Sequence, residues 1–464
     1  MIRERELTVS IMLAGGETVR CGTLSEFAGG NTASRLRFTY APDYLRRVDS
    51  VTISPDLPLV RGELHPPRHL PVFSGLRDAM PDAWGQRLVA LEARRRGMPV
   101  TSSLVTGDLF LVPNNTRQGD LLVEPAVEDA DVPPLAALEA FGPVIEEFEL
   151  GDDPSDPRLL SMLPLGTSQG GARPKLAVRW TDGSLAIAKF PAVGDRWNVA
   201  RWEAVAAELA TASGLPVAPF TVVPLGGEAD VFVTKRFDRV GERRIGYWSG
   251  QTLLQQEDTR GVSYVDLLSF VLYYAEDKGA AGERLFRQAA FSVLTGNVDD
   301  HFRNFGMLRG RGDRWRVAPA FDLNPFPRPN TVAATPLTGD DDPQDRQLQK
   351  LLDRHDDFRL SSAQAIAVLK EVEEGTRSWA EAARGHGLDA EAVRRMRRAF
   401  EGEQRDFVRD LPGPDAGGRG VRSTVLTHAP DGPRPRDREW IEAHERADGT
   451  RVRGHWRMRR RPGS

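Results

Sequence analysis

Cysteine is almost absent from this chain of 464 residues, which contains only Cys21. One cysteine excludes a disulfide framework and a cysteine-built zinc site within a single chain. No run of 18 apolar residues occurs, which excludes a transmembrane helix. The first residues, MIRERELTVS, lack the apolar segment of a secretory signal. We therefore expect a cytoplasmic protein with no membrane partner.

Lysine is also scarce, because only six of the 62 basic residues are lysine. Where arginine serves as the general surface cation, a retained lysine is a candidate for a compact point charge, although chance alone is the alternative. Three of the six lie within 60 residues of one another as Lys175, Lys189 and Lys235. The net charge of −4 gives the whole chain no bulk attraction for a polyanion.

The length exceeds one ordinary hydrophobic core and predicts two or three domains. The pattern predicts a strand-rich region over 1–120, a linker with one helix over 121–156, a mixed region over 157–250, a helical region over 251–411 and an arginine-rich tail over 412–464. From residue 414 onward the tail holds 12 arginines and 7 acidic residues, a balance of 12 − 7 = +5. We expect it to be disordered, with contact to nucleic acid or an acidic partner as the alternative.

A glycine-bearing loop, GTSQGGARPK, precedes a predicted hairpin. The apolar runs Leu176–Trp180 and Leu185–Phe190 are separated by TDGS, a typical hairpin signal. Adjacent glycines let backbone N–H groups approach phosphate oxygens, although an ordinary loop has the same composition. The loop alone is therefore a weak indication of phosphate binding.

Lys189 ends the second strand of this hairpin, in the apolar run AIAKF. A lysine there needs an anionic partner if it faces inward, whereas an edge position would face solvent. Glu203 lies one turn into the helix that Asn198 begins. We predict that Glu203 pairs with Lys189, as strand lysines and helix glutamates do in kinases, with a solvated glutamate as the alternative.

The segment NVDDHFRN carries the most specific pattern. Asp299 and Asn304 are five residues apart, which is the spacing of base and metal ligand in the protein-kinase catalytic loop. Asp299 would accept the proton of an incoming hydroxyl, and the Asn304 oxygen would turn back to a metal. Asp322, in APAFDLNP, adds a second ligand. Their joint occurrence in this order predicts phosphoryl transfer.

Asp300 and His301 allow another interpretation of the same segment. An Asp-Asp-His cluster could ligate a metal for hydrolysis, but no other histidine lies within 50 residues. Asp300 also competes with Asp299 for the role of base, and the five-residue spacing favours Asp299.

These motifs, taken in order, resemble HipA-type serine/threonine kinase toxins of type II toxin–antitoxin systems. The matching segments are SQGGARPK, AIAKFP, TKRFDR, NVDDHFRNF and APAFDLNP. FSGLRDAMPDAWGQRL and TRQGDLLV are similar to the small N-terminal subdomain of that family. The resemblance covers about residues 5–400 and leaves the tail outside. Arg303 stands where the family's loop often carries a lysine.

The resemblance implies an α+β, two-lobed protein-kinase-like fold with a small strand-rich N-terminal subdomain and a helical C-lobe. It implies ATP and Mg²⁺ as cofactors. Asp299 would be the proton acceptor, Asn304 and Asp322 would hold magnesium, and Lys189 would contact the α- and β-phosphates. The remaining ATP-binding residues implied are Gly170, Gly171, Ala172, Arg173 and Lys175 in the phosphate loop, His301 and Asn304 in the catalytic loop, Asp322, and Lys235, Arg236 and Phe237 in the hinge, the last three largely through backbone groups.

Ser168 matches the family's autophosphorylated serine, whose modification expels the loop and inactivates the enzyme, and Thr167 lies beside it. The resemblance also implies a kinase that phosphorylates a cellular protein, and itself, to inhibit growth. The partners implied are a helix-turn-helix, HipB-like antitoxin, an unidentified protein substrate, and operator DNA contacted only through the antitoxin. The alternative is a catalytically silent, kinase-like partner of an antitoxin that acts in transcriptional repression.

Overall fold

The computed structural model describes residues 3–28, 35–95, 105–151, 162, 164–166, 171–226, 229–327 and 335–413, and four short strands beyond residue 437. The three largest hydrophobic cores organise the described residues. The first lies in the N-terminal region, the second beneath a four-stranded sheet, and the third among the helices that follow. The cavity described below is lined from all three parts.

The N-terminal core packs against an antiparallel sheet of five strands in the order β4-β3-β2-β1-β5. Alternate residues Leu7, Val9 and Ile11 of its first strand are buried, as expected for a strand with one covered face. The strands are β1 (Arg3–Met12), β2 (Thr18–Ala28), β3 (Arg35–Tyr40), β4 (Glu63–Leu64) and β5 (Leu121–Glu124). The helices of this region are α1 (Pro42–Arg46), α2 (Ser74–Arg77), α3 (Ala83–Arg95) and α4 (Val105–Phe110).

Two boundaries differ from the sequence interpretation. The segment predicted as a linker over 121–156 begins with β5, which pairs with β1, so its first residues belong to the N-terminal sheet. Conversely, α3 lies within 1–120, yet its Trp84 and Leu88 pack in the second core. The reason is that both contacts are long-range, and local patterning carries no information about them. The helix expected in the linker is present as α5 (Leu138–Leu150).

The second sheet is antiparallel with the order β6-β7-β9-β8. Its strands are β6 (Lys175–Arg179), β7 (Leu185–Lys189), β8 (Phe220–Gly226) and β9 (Ala229–Lys235), and the predicted hairpin of β6 and β7 is confirmed. Lys175 and Lys189 lie opposite each other in this hairpin. The helix α6 (Val199–Ala212) follows, capped by the Asn198 side chain, which accepts a hydrogen bond from the Arg201 N–H.

The third region is mainly helical, as predicted. Its helices are α7 (Gly250–Leu254), α8 (Tyr264–Tyr274), α9 (Lys278–Leu294), α10 (Leu348–Asp353), α11 (Ser362–Arg377), α12 (Trp379–Gly385), α13 (Ala390–Phe400) and α14 (Glu403–Asp410). The α6 residues Trp202 and Leu209 pack in this third core. Among the described residues, none of the helices combines the length and apolar character that a membrane span requires.

Short strands connect the helical region to the hinge. A two-stranded ladder joins β10 (Arg239–Val240) to β11 (Arg243–Arg244). A three-stranded sheet then joins β12 (Tyr247–Ser249), β13 (Gly306–Arg309) and β14 (Trp315–Val317). Strands β13 and β14 form a hairpin after the segment that carries Asp299, and β12 pairs along the edge of β13. This sheet fixes the residues that follow the segment carrying Asp299, and α9, which ends at Leu294, precedes that segment.

The prediction of a wholly disordered tail is wrong for a few residues. Strand β15 (Arg438–Ile441) pairs antiparallel with β18 (His455–Met458), and β16 (His444–Glu445) pairs with β17 (Arg451–Val452). Trp440 and Trp456 lie at opposed register positions. Tryptophan, isoleucine and valine favour strands, and the arginine excess hid this signal in the sequence.

Candidate active site

A cavity with a volume of about 390 Å³ lies between the second sheet and the helical region. Most of the sequence-predicted site residues line it, and they come from five separate segments. They are Gly171, Ala172, Arg173, Lys175, Lys189, Lys235, Arg236, Phe237, Asp299, His301, Asn304 and Asp322. Gly170, Ser168 and the neighbouring Thr167 lie outside the described residues.

Lys189 is the centre of the cavity's charge network. Its Nζ donates to Glu203 Oε1 at 2.5 Å and to Asp322 Oδ1 at 2.8 Å. The Glu203 side chain is only 5% exposed and that of Lys189 is 13% exposed. The predicted pairing of Lys189 with Glu203 is confirmed, and the alternatives of a solvent-facing lysine and a solvated glutamate are wrong.

Local structure explains why these three groups meet. Lys189 is the last residue of β7, and Glu203 lies one turn into α6, which packs over the same end of the sheet. Asp322 follows the β13–β14 hairpin and has a φ of 57°. That left-handed backbone is unusual for a residue other than glycine, and such conformations concentrate at functional sites.

The network sets the charge of its members. Burial alone would raise the pKa of the Asp322 carboxyl, but Lys189 and Lys175 outweigh burial and hold that pKa well below its usual range. Burial would likewise lower the pKa of Lys189, but Asp322 and Glu203 raise it above the ordinary lysine value. Both groups are therefore charged at neutral pH.

Asp299 and Asn304 face the cavity from the catalytic loop. The Asn304 Nδ2 donates to the Asp299 carbonyl oxygen at 2.9 Å, across a short 3₁₀ turn at Phe302–Asn304. Asp299 Oδ1 lies 3.6 Å from His301 Nε2, and the Asp299 side chain is 66% exposed. Loss of solvent within the cleft raises the pKa of Asp299, opposed by His301 and reinforced by Asp322 and Asp300.

Asp300 is held in a different way from Asp299. It is buried, and its Oδ2 accepts hydrogen bonds from Arg346 Nη1 at 2.6 Å and from the Tyr264 hydroxyl at 2.9 Å. Asp300 therefore fastens the loop to the helical core and leaves Asp299 facing the cleft. Within the described ranges, no three histidine, cysteine or acidic side chains are grouped as a metal site, so the hydrolase interpretation gains no support.

Asn324 is a cavity residue that the sequence interpretation missed. Its Nδ2 donates to Asp322 Oδ1 at 3.1 Å, and its Oδ1 is buried with no hydrogen-bond partner among the residues that the structure describes. Asp322, Asn304 and Asn324 together offer a carboxylate and two amides. Such oxygen donors suit Mg²⁺, so the residues present fit that ion.

The side chains of the predicted hinge turn to structural partners. Lys235 pairs with Asp182 and lies over the Trp180 ring. Arg236 is buried and donates to Asp238 at 2.8 and 2.6 Å. The backbone N–H groups of Lys235 and Arg236 already donate hydrogen bonds to the Pro219 and Leu185 carbonyls. A nucleotide bound here would therefore contact hinge carbonyl groups and Phe237.

The described part of the phosphate loop is already engaged by other residues. The N–H of Gly171, which has a φ of 104°, donates to Asp82 Oδ2. The guanidinium of Arg173 donates to both carboxylate oxygens of Asp195, at 2.8 and 2.5 Å. Lys175 is buried, and burial lowers its pKa to about 8 despite nearby Asp322.

Asp82 is the second functional candidate that the sequence interpretation missed. Its other oxygen, Oδ1, pairs with Arg303 Nη1 at 2.8 Å. The available signal was its place directly after Pro81, which is typical of a helix cap rather than of a functional site. Nothing in the sequence indicated that this cap would meet two loops far along the chain.

Together, the four-stranded sheet with its paired lysine and glutamate, the helical half and the strand-rich N-terminal region define a two-lobed protein-kinase-like fold, as expected. Residues 167–380 match the model of the HipA-like C-terminal domain. The HipA toxin of Shewanella oneidensis MR-1, solved in complex with HipB and its operator DNA, aligns with a TM-score of 0.59. That alignment covers 88% of this chain and 100% of the other at 18% identity, which establishes likeness of fold.

Two further matches cover less of this chain. A Haemophilus influenzae protein named "Putative kinase" is 32% identical over 81 residues, which is 16% of this chain. The match covers 24% of that curated relative, about a quarter of its length. The Helicobacter pylori proinflammatory kinase CtkA aligns with a TM-score of 0.36 and 16% identity, over 52% of this chain and 89% of that one, which is too weak to carry an argument.

Proposed function

We propose that this protein is an ATP-dependent serine/threonine protein kinase of the HipA type. It would phosphorylate a cellular protein, and itself, and thereby inhibit growth. The observation that carries the proposal is the Lys189 network, in which one lysine contacts both Glu203 and Asp322 in a cavity that Asp299 and Asn304 also line. Phosphoryl transfer requires these parts together: a cation for the phosphates, oxygen ligands for a metal, and a base.

The residues of this chain divide the work as follows. Glu203 holds the Lys189 ammonium where it can meet phosphate oxygens, and the buried setting strengthens that attraction. Asp299 accepts the proton of the substrate hydroxyl as the phosphoryl group is transferred to the oxygen. Its exposed carboxylate, at the mouth of the cleft, leaves room for a serine or threonine on another protein.

Asp322 and Asn304 would hold magnesium. When bound, the ion neutralises charge on the phosphate oxygens. Asn324 orients the Asp322 carboxylate through their 3.1 Å hydrogen bond. The Asn304 Nδ2 donates a hydrogen bond to the Asp299 carbonyl, which directs the amide oxygen of Asn304 away from that carbonyl.

The partner proposal rests on the HipA toxin of Shewanella oneidensis, which was solved with HipB and operator DNA. We propose a HipB-like, helix-turn-helix antitoxin for this chain, with operator DNA contacted only through it. The protein substrate is a cellular protein, and the chain is proposed to act in the cytoplasm. Ser168 is the proposed site of autophosphorylation.

Labelled phosphate transfer tests the proposal. Purified protein, first shown by mass spectrometry to be unphosphorylated, is incubated with Mg²⁺ and γ-labelled ATP, and the modified residue is mapped. Label on Ser168 or Thr167 is expected, falling about 10²–10⁴-fold in Asp299→Asn. Asp258→Asn is the matched control, because Asp258 is an exposed carboxylate that pairs with Arg260.

Undiminished labelling in Asp299→Asn would show that the base is assigned wrongly. No labelling by the wild type, together with no rise of its melting temperature on adding Mg²⁺–ATP, would support the catalytically silent, antitoxin-bound alternative. Label found only on threonine or serine residues outside the loop would support kinase activity and contradict Ser168 as the site of autophosphorylation.

A further inference from the structure

Three segments of the chain meet at one carboxylate of the N-terminal region. Asp82 immediately precedes α3, and its carbonyl accepts the first helical hydrogen bond, from the Gln86 N–H at 2.7 Å. Its Oδ2 accepts the N–H of Gly171, from the glycine loop. Its Oδ1 pairs with Arg303 Nη1 at 2.8 Å, from the catalytic loop. The two oxygens of one side chain thus join the two loops that line the cavity.

The start of α3 holds the glycine loop at further points. The Trp84 N–H donates to the Gly171 carbonyl at 3.4 Å, and the buried Trp84 indole Nε1 donates to the Lys175 carbonyl at 3.1 Å. Packing is close on the other side of the loop as well, because a Cβ added to Gly166 would lie 2.4 Å from a Leu88 methyl. Both ends of the described loop are therefore set by α3.

We propose that Asp82 is a positioning residue through which the N-terminal region fixes the phosphate loop relative to the catalytic loop. Its catalytic consequence rests on the proposed kinase function, whereas the positioning itself is a property of the protein without nucleotide. Asp82 acts through Gly171 and Arg303, and it has no role in the chemical step.

A competing role for the same carboxylate is mimicry of a phosphate. The Asp82 carboxylate accepts a loop N–H and pairs with an arginine, and both are donors that a bound phosphate would use. Positioning is favoured because Trp84 adds bonds to the Gly171 and Lys175 carbonyls, which a phosphate mimic would not need. The two roles predict opposite changes in ATP affinity.

Two substitutions separate the contacts of Asp82. Asp82→Asn keeps an oxygen acceptor for the Gly171 N–H and a residue type favoured at helix starts, but it removes the ion pair with Arg303. Asp82→Ala removes both side-chain contacts and leaves the backbone bond from the Gln86 N–H in place. Asp389 supplies matched controls, because it caps α13 through the Ala392 N–H and is exposed on another helix. Asp389→Asn and Asp389→Ala report the cost of changing a cap alone.

Hydrogen–deuterium exchange without nucleotide measures the positioning directly. In Asp82→Ala the Gly171 amide is expected to exchange about tenfold faster or more, because its acceptor is gone. Asp82→Asn is expected to exchange more slowly than Asp82→Ala, and Asp389→Ala to match the wild type at this amide. Wild-type exchange at Gly171 in Asp82→Ala would overturn the proposal, whether or not the protein transfers phosphate.

A double-mutant cycle measures the catalytic consequence. Asp82→Asn and Arg303→Gln are each expected to lower kcat about tenfold, with the KM for ATP changed less than about threefold, because loop geometry rather than binding is altered. The double variant is expected to match either single variant, since the two side chains act through one contact. A double variant whose loss in kcat equals the product of the two single losses would contradict a coupling between Asp82 and Arg303.

If Asp82→Asn binds ATP more tightly than the wild type at unchanged kcat, the positioning role is contradicted and the phosphate-mimicking role of Asp82 is supported. If the wild type transfers no phosphate at all, the proposed kinase function fails, and the exchange experiment still decides the positioning role. The two failures are therefore distinguishable.

Discussion

Two largely buried charge networks border the same cavity, and they differ in their partners. The cleft network consists of Lys189, Glu203 and Asp322, joined only through side chains. The hinge network consists of Arg236, Asp238, Arg239 and Arg244. Its guanidinium groups donate both to the Asp238 carboxylate and to backbone carbonyls of the N-terminal region.

The charged side chains of the hinge network are hydrogen-bonded to the backbone of the N-terminal region. Arg236 donates to the Thr116 carbonyl, and Arg244 donates to the Gly119 and Asn114 carbonyls at 2.9 and 2.6 Å. Asp238 in turn accepts the Gly119 N–H at 2.8 Å. An arginine here cannot take a new partner without leaving several polar groups buried and unpaired.

The pKa shifts do not separate the two networks. Burial would raise the pKa of Asp238, yet Arg236 and Arg239 hold that pKa well below its usual range, just as Lys189 and Lys175 do for Asp322. What differs is how the cations are engaged. Arg236 also borders the cavity, but its guanidinium donates to the Thr116 and Arg117 carbonyls as well as to Asp238, whereas Lys189 contacts the carboxylates of Glu203 and Asp322. A perturbed carboxylate therefore does not identify a functional site without the geometry around its cation.

Arg236→Met should produce the largest change in stability. The change removes one of the two cations that pair with Asp238 and leaves the buried Thr116 carbonyl without this donor, which costs about 3 kcal/mol in the free energy of unfolding. Urea unfolding measures this loss, and phosphate transfer per folded molecule should stay within about threefold of wild type. A stable but inactive Arg236→Met variant would show that the Arg236 side chain serves phosphate transfer directly, and it would contradict the distinction between the hinge network and the cleft network.

Lys189→Met should act mainly on phosphate transfer. Loss of the cation that meets the phosphates is expected to lower transfer about 10²–10³-fold, since preorganised charge contributes on that scale. Lys278→Met is the matched control, because Lys278 is an exposed lysine at the start of α9. Equal transfer by the two variants would remove Lys189 from the site.

Lys175 gives the cavity a pH dependence of stability in the range of pH 8 to 10.5. With a folded pKa lowered to about 8 by burial, against the usual 10.5, the unfolded chain binds more protons between those values. Stability due to this group therefore rises from pH 8 to 10.5, by up to about 1.4 kcal/mol per pH unit, and the penalty is complete below pH 8. Melting temperatures of wild type and Lys175→Met across this window measure it, and parallel curves would contradict it.

Asp182→Asn should have the smallest effect. Asp182 pairs with Lys235 at the exposed end of the hinge, where ion pairs contribute about 0–1 kcal/mol. Thermal unfolding and the KM for ATP are both expected to stay close to wild type. A large rise in KM would show that the Lys235 side chain, and not only the hinge backbone, serves the nucleotide.

Local patterns in the sequence were sufficient to predict much of the cleft. The apolar run around Lys189 and the five-residue spacing of Asp299 and Asn304 are short-range signals, and the structure brings these residues together. Asp82 escaped prediction because its partner Gly171 is 89 residues away. Asn324 escaped because an amide two residues after Asp322 reads as ordinary loop composition.

The hinge illustrates the same limit. Three consecutive residues were expected to meet the nucleotide largely through backbone groups, and no local pattern indicated that the Arg236 side chain would reach Thr116, 120 residues earlier in the chain. Residue type and local periodicity do not encode which distant backbone a guanidinium will cover. Charged residues next to a motif are therefore the least predictable part of such a site.

The central claim is that the Lys189 network is the phosphate site, and calorimetric titration of Mg²⁺–ATP tests it most directly. The account predicts that the wild type and Lys278→Met bind one nucleotide with equal affinity, and that Lys189→Met binds at least about tenfold more weakly, a difference of about 1.4 kcal/mol or more. Wild-type affinity in Lys189→Met, or no binding by the wild type, would contradict it.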